Sequence, residues 1–337
     1  MRGDREESLP LAPGAEFDLI RRFYLGGRAE PRPDVLVGAG DDCAVVAGDG
    51  IALSSDMSVE GVHFRRDWLS LREIGYRAAA GALSDLAAVA ARPIGVLVSL
   101  ALPSEDAGEG AVELMCGIRE VTEQVGGVVL GGDTTRTTGP LVVDVTVVGE
   151  AGWPVLRSGA RRGDEVWVTG ELGGAAAAVR ALLRGESPTP AARERFARPV
   201  PRVREALWLA ERGIPRAMVD LSDGLAGDAL HVSTASRVAV LLARELVPVH
   251  PAALAAAGED EDEALRLALG GGEDYELCFT AEMGRVPAHR AEFERETGTR
   301  LTCVGRIGGG SGVWWSDPEG RRRPLGFRAY QHFTEDT

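Results

Sequence analysis

Lysine and asparagine are missing from all 337 residues, so each of the 37 basic side chains is an arginine. A Walker-type phosphate loop, a protein-kinase site and a Schiff-base enzyme each need a lysine, and all three are excluded. The accompanying wealth of Ala, Gly and Arg reads as a genome-wide bias and carries no function itself. Cysteine is scarce: Cys43, Cys116, Cys278 and Cys303 are far apart with no CxxC pair, which argues against a zinc site or a disulfide framework. Cys278 and Cys303 lie in strand-like apolar runs and read as inert core residues. No apolar run approaches the ~18 residues of a membrane span. The opening MRGDREESLP is acidic and polar, unlike a signal peptide, so the expected compartment is the cytoplasm. Positive charge is in deficit, and a net charge of −14 argues against a nucleic-acid backbone or an anionic membrane as partner. An acidic surface can still hold phosphates where metal ions mediate.

The length suits two domains, and the 45% apolar and 26% charged fractions are those of a soluble globular protein. The most informative stretch is residues 38–63, where GAGDDCAVV is followed by ALSSDMSVEGVHF. Asp41, Asp42 and Asp56 stand there beside Gly or Ser at the edges of apolar runs. An isolated Asp of this kind is a turn cap. Several converging carboxylates, however, repel one another unless cations sit between them, and magnesium takes such hard oxygen ligands. The same pattern returns at Asp85 (ALSDLAAVAA), Asp133 (LGGDTTR), Asp220 and Asp223 (VDLSDGL), and Glu273 with Asp274 (GGGEDYEL), which makes a constellation.

Taken in order, residues 1–15 read as loosely held, 16–24 as a short helix and 26–33 as a Gly- and Pro-rich link. Leu71, Ile74, Ala78, Ala82, Leu86 and Val89 recur at helical spacing, and Asp85 lies four residues after Gly81 on a face of small residues. Residues 94–101 read as a buried strand, 109–125 as a helix, and 127–130 and 141–148 as strands with GGDTTR between them as a phosphate-approaching turn. Residues 149–157 read as a link between domains 1–150 and 151–337. In the second half, strands are expected at 165–169, 217–221, 275–280 and 301–306, with helices at 172–183, 203–212 and 285–297 and a polar loop at 185–190. Ser222 is the expected N-cap of a helix holding Asp228, with Asp223 in its first turn, and GEDEDE (258–263) is a solvated helix start. The alternation of strands and helices points to an α/β or α+β protein of two domains.

Together, GDD, SSDMSVEGVHF, LSDLAAVAARP, GGDTTR, LRSGARRGD, RPVPR, DLSDGL, GGGEDYELCF and GFRAYQHF resemble the thiamine-monophosphate kinase family, in the same order over about residues 15–334. The resemblance implies the two-domain aminoimidazole ribonucleotide synthetase-like fold, with N-terminal sheets joined into a barrel across a homodimer. It implies transfer of the ATP γ-phosphate directly to thiamine monophosphate, giving thiamine diphosphate, with several Mg²⁺ ions and no phosphoenzyme. Residue by residue, it assigns Mg²⁺ to Asp41, Ser54, Ser55, Asp56, Asp85, Asp133, Asp220 and Asp223, with Asp133, Asp220 and Asp223 as the catalytic set. It assigns ATP to Gly132, Asp133, Arg157 and Ser222, and thiamine phosphate to His63, Glu273 and Phe327. Cys116 departs from the family where a Tyr often meets the nucleotide, and Phe327 stands where Trp is frequent, keeping an aromatic face for the cationic thiazolium.

The implied chemistry is physically coherent. The acceptor phosphate, with a second pKa of about 6, is largely dianionic near neutral pH and needs no general base. Two polyanions must nevertheless meet in line, which metal ions make possible. Arg157 could add a bidentate phosphate contact. On residues alone, His63 can equally be a packed or capping side chain and Glu273 a turn acid. Two alternatives stand beside the kinase. One is another ATP-using member of the superfamily, although selenophosphate synthetases carry a Lys near the N-terminus and the hydrogenase maturation factor ends in a reactive Cys, where this sequence ends TEDT. The other is a non-catalytic nucleotide or metal sensor.

Overall fold

A computed structural model describes residues 35–37, 41–48, 50–258, 260–317 and 319–325. The expected helix at 16–24, the link at 26–33 and Phe327 lie outside the described residues.

The first half builds one sheet in the order β1–β2–β3–β6–β4–β5, from β1 (Val35–Val37), β2 (Ala44–Val46), β3 (Ile51–Val59), β4 (Arg92–Leu102), β5 (Val128–Arg136) and β6 (Val142–Glu150). All neighbours are antiparallel except β4 and β5. The alternation of VVDVTVVGE is that of a strand with one covered face: Val143, Val145 and Val147 are fully buried, while Asp144 and Thr146 point to the other side. That other side is open, and Met57, Ile94, Leu97 and Leu130 are exposed.

The second half builds a second sheet in the order β13–β12–β9–β11–β7–β10–β8. Its strands are β7 (Glu165–Thr169), β8 (Pro215–Asp220), β9 (Ala239–Leu242), β10 (Leu277–Ala281), β11 (Leu301–Gly308), β12 (Gly312–Ser316) and β13 (Arg322–Pro324). Only the β12–β9 pair is parallel.

Helix α1 (Leu71–Ala88) organises both halves. Ser70 and Glu73 form a capping box at its start. Everything from Ile74 to Ala88 except Asp85 is buried, as expected for a helix that is apolar and small-sided all round. It packs on β3 and β6 of the first sheet, on β8 of the second and on α2 (Glu109–Gln124). The α1–α2 crossing is so close that a Cβ on Gly117 would fall 1.9 Å from the Arg72 carbonyl oxygen. The remaining helices, α3 (Gly174–Leu183), α4 (Pro190–Ala197), α5 (Val203–Glu211), α6 (Leu225–Ser236), α7 (Pro251–Ala257), α8 (Glu261–Gly270) and α9 (Arg290–Thr297), belong to the second half. None of the described helices is long and apolar enough to cross a membrane.

Several sequence expectations change. The strand read as buried at 94–101 has one open face, with Ile94 and Leu97 exposed, and the helix read at 285–297 begins only at Arg290. GGDTTR is not a turn: β5 continues through it, and Asp133 pairs beside Ser99 of β4. Ser222 is not an N-cap, because α6 begins later, after Gly224, so Asp223 lies in the loop before the helix. The stretch after 189 carries a helix that was not foreseen, α4, capped by Thr189 with Pro190 in its first turn.

Candidate active site

Residues at intervals of four on a helix share one stripe, and α1 places Arg77, Gly81 and Asp85 in such a stripe along a cavity of about 390 Å³. Asp56 enters from β3, His63 from the turn after it, Asp220 from the end of β8, Ser222 and Asp223 from the loop that follows, and Glu273 and Tyr275 from the GGGEDYE segment. Trp68 and Phe196 supply aromatic walls.

At the acidic end, carboxylate oxygens of Asp42, Asp85 and Asp220 all lie within 4.8 Å of one another. Ser84 Oγ donates to Asp220 Oδ2 at 2.6 Å, and Ser54 Oγ donates to Asp85 Oδ2 at 2.5 Å. Asp42 is gripped by Arg157, whose Nε and Nη2 donate to its two oxygens at 2.7 and 2.8 Å. Asp41 accepts the backbone N–H groups of Asp42 and Arg157. Burial, then the charge of Asp42, pushes Asp220 up to about 8. Burial and the charge of Asp220 push Asp85 well above the usual carboxylate range, and burial with Asp42 raises Asp41 to about 6. This local excess of negative charge fits a divalent cation. Asp223, Asp228 and His231 form a second group within 4.8 Å. Burial, reinforced by Arg157, lowers His231 to about 3, so its imidazole is neutral.

The other end is shaped by GGGEDYE. Glu273 N–H donates to the Ser222 carbonyl at 2.7 Å and Tyr275 N–H to the Leu221 carbonyl at 2.9 Å, which clamps the segment onto the DLSDGL loop. Glu273 (φ 61°) and Tyr275 (φ 49°) hold left-handed conformations, at about 1–2 kcal/mol each for an L-residue. Gly272, at φ 65°, lets the chains meet: a Cβ there would sit 2.5 Å from the Ser222 carbonyl oxygen. Asp274 accepts the N–H of Gly173 at the start of α3. Glu276, fully buried, accepts from Arg195 Nη2 (2.6 Å), Arg202 Nη2 and Nε (2.6 and 2.7 Å) and Thr169 Oγ1 (2.7 Å). Burial alone would raise its pKa, but the Arg202 and Arg195 guanidinium groups overcome that and hold it near 2. His63 Nδ1 accepts the Val59 N–H at 3.0 Å, which turns Nε2 away from that turn.

The cavity thus brings together Ser55, Asp56, His63, Asp85, Asp220, Ser222, Asp223 and Glu273 of the residues singled out from sequence. Asp41, Ser54 and Arg157 stand behind it, bonded to Asp42 or Asp85 or to their neighbours. Ser55 Oγ donates to Asp144 Oδ1 at 3.1 Å, on the open side of the sheet. Gly132 and Asp133 are not among its lining residues. They line a second cavity, of about 450 Å³, with Cys116, Met115 and Arg119 of α2 and Val98 of β4. A register row Asp56–Val145–Val98–Gly132 joins the two places across three strand spacings, ~14 Å. Sequence reasoning missed Arg77, Tyr275 and the part Asp42 plays in the acid cluster. For Arg77 a signal existed: it lies eight residues before Asp85, on the same stripe.

The two sheets and their acid-lined groove define a protein of the AIR synthase-related class, and the profile of AIR synthase related protein, N-terminal domain, matches residues 40–151. The thiamine-monophosphate kinase of Rhodopirellula baltica is 37% identical over 302 residues, covering 86% of this chain and 89% of that protein. That of Escherichia coli K12 is 34% identical over 331 residues, covering 94% and 98%. A solved structure of AaThiL complexed with AMPPCP and TMP matches with a TM-score of 0.81 at 28% identity, covering 94% of this chain and 97% of that one. The chain belongs to the thiamine-monophosphate kinase family.

Proposed function

We propose that the chain transfers the γ-phosphoryl group of ATP directly to thiamine monophosphate, producing thiamine diphosphate and ADP. The observation that carries this reading is a single cavity lined by Asp56, Asp85, Asp220 and Asp223 together with His63, Glu273, Trp68 and Phe196. The first set suits metal-bound phosphates, the second a cationic aromatic ring. Asp41, Ser54, Ser55, Asp56, Asp85, Asp133, Asp220 and Asp223 would hold Mg²⁺ ions, with Asp42 joining them. Bound there, the ions supply neutralisation of the two phosphate chains. Asp133, Asp220 and Asp223 would form the catalytic set.

For ATP, the proposed contacts are Gly132, Asp133, Arg157 and Ser222. The grouping of Gly132, Asp133 and Cys116 around one cavity supports a nucleotide position there, with the smaller Cys116 leaving room beside the base. For thiamine phosphate, Glu273 would balance the ring charge, His63 would donate from Nε2, and Phe327 would stack on the thiazolium. The open face of the first sheet, with Leu97 and Leu130 exposed and β5 at the edge, supports a homodimer in which two such sheets close into a barrel. Residues 1–150 would then serve ATP, Mg²⁺ and dimerisation and residues 151–337 would complete the site. A cytoplasmic reaction is part of this proposal, ATP being the donor.

Incubating the protein with ATP, Mg²⁺ and thiamine monophosphate should yield thiamine diphosphate and ADP, and Asp133→Asn should abolish turnover while the melting transition survives. Absence of product from folded wild-type protein across a range of metal concentrations would favour a nucleotide or metal sensor instead.

A further inference from the structure

Arg77 is the one arginine among the described residues that line the main cavity, against five acids: Asp56, Asp85, Asp220, Asp223 and Glu273. Its side chain is only 7% exposed, and it is held from several sides. Its Nη1 donates to the Phe196 carbonyl at 3.2 Å, its Nη2 donates to the His63 carbonyl at 3.4 Å, and the guanidinium lies 4.4 Å from the Phe196 ring centre. Nη2 also pairs with Glu273 Oε1, whose side chain is 29% exposed. The positive charge acts on Asp56 as well, countering part of the rise that burial imposes there. Arg77 therefore stands between the acidic end of the cavity and the ring end.

We propose that Arg77 binds the phosphate of thiamine monophosphate and that, in the empty site, Glu273 occupies the place of that phosphate. Binding is then an exchange of partners. Glu273 leaves Arg77 for the cationic ring, and Arg77 leaves Glu273 for the phosphate, so neither charge is ever buried alone. The exchange rests on the reading of the site as one for thiamine phosphate, and it adds how the two ends of the ligand are recognised together. Arg77 also presents the acceptor phosphate from α1, two helical turns from Asp85, a rise of ~12 Å along the axis.

The exchange predicts a specificity. Thiamine without its phosphate would draw Glu273 away and leave the buried Arg77 without its ion-pair partner, with only the field of Asp56 to balance it, an unfavourable state. Wild-type protein should therefore bind thiamine at least ~100-fold more weakly than thiamine monophosphate.

Titration calorimetry with thiamine and thiamine monophosphate, alongside steady-state kinetics, separates the possibilities. Turnover by the wild type first checks the underlying reading; absence of turnover sinks that reading whatever Arg77 does. Given turnover, Arg77→Gln should raise KM for thiamine monophosphate at least ~30-fold with KM for ATP changed less than about twofold, and should collapse the preference over thiamine. Arg77→Lys, which keeps the charge, should restore part of that preference. Glu273→Gln should shift both ligands alike and leave the preference for thiamine monophosphate over thiamine in place. If Arg77→Gln weakens thiamine and thiamine monophosphate equally, or raises both KM values together, Arg77 only packs the wall and the proposal is wrong.

Discussion

The acid cluster couples metal binding to protons, and the direction of the coupling follows from the site. Asp220 titrates near 8, raised by burial and then by Asp42, and its partner Asp85 is raised in the same direction. At pH 7 such a carboxyl is held mostly in its protonated form. A divalent cation needs the carboxylate, so it must displace a proton, and its apparent affinity scales with the ionised fraction. Mg²⁺ affinity in the absence of nucleotide should therefore rise from pH 6 to 8 and level off above that. Asp41, near 6, steepens the acid end. Calorimetric titration of Mg²⁺ in two buffers of different ionisation enthalpy reads the proton release directly, and net release at pH 7 is expected. An affinity flat from pH 6 to 8, with no buffer dependence, would refute the reasoning. The same group sets the stability of the metal-free protein. Folded Asp220 keeps its proton up to about 8, whereas an unfolded carboxyl loses it near 3.8, so between those values the folded state holds the extra proton. Its contribution to stability is fully present below the lower value and falls as pH rises towards the upper one. Asp220→Asn should remove that pH dependence from the melting temperature measured in chelator.

Glu276→Ala leaves Arg195 and Arg202 largely buried without their shared counter-charge and should cost ~3–5 kcal/mol, read as a lower urea midpoint; a loss under ~1 kcal/mol would show that the network is not holding GGGEDYE in place. If the proposed homodimer forms through the open face of the first sheet, Leu130→Glu, which puts a charge on that face in the edge strand β5, should shift sedimentation from dimer towards monomer, with the second-half fold intact by near-UV dichroism. An unchanged dimer would place the interface elsewhere.

The acids were legible because each carried its own local signature, a small residue beside it and an apolar run behind it. Asp56, Asp85, Asp220 and Asp223 do meet in one cavity. What the sequence could not show was tertiary pairing. Arg77 reads as an ordinary helix arginine until α4 brings Phe196 against it and the strained GGGEDYE turn brings Glu273. Asp42 looks interchangeable with Asp41, yet only Asp42 is drawn into the cluster, because Arg157, more than a hundred residues later, grips it. GGDTTR was misread because two glycines suggest a turn, whereas parallel pairing with β4 keeps the chain extended. Helix α4 was missed because only Ala192, Phe196 and Ala197 are buried, too narrow a face to show a period, although Thr189 and Pro190 carried its start signal.

Why should one site draw carboxylates from so many parts of the chain? Asp42 comes from the bend before β2, Asp56 from β3, Asp85 from α1, Asp220 from the end of β8 and Asp223 from the loop after it, and they meet because α1 touches both sheets with a stripe of small residues. A packed interior would resist gathering like charges, and the raised values of Asp41, Asp85 and Asp220 measure that resistance. Arginines neutralise acids that stabilise the fold, as Arg195 and Arg202 do for Glu276, whose pKa is held near 2, and Arg157 grips Asp42 in the same way; Asp85 and Asp220, however, are bonded by Ser54 and Ser84 and by no arginine among the described residues. Glu276 is thus an internal control: the same chain moves a buried structural carboxylate down and the buried Asp85 and Asp220 up. The unneutralised charge is what a metal-bound phosphate chain would complete.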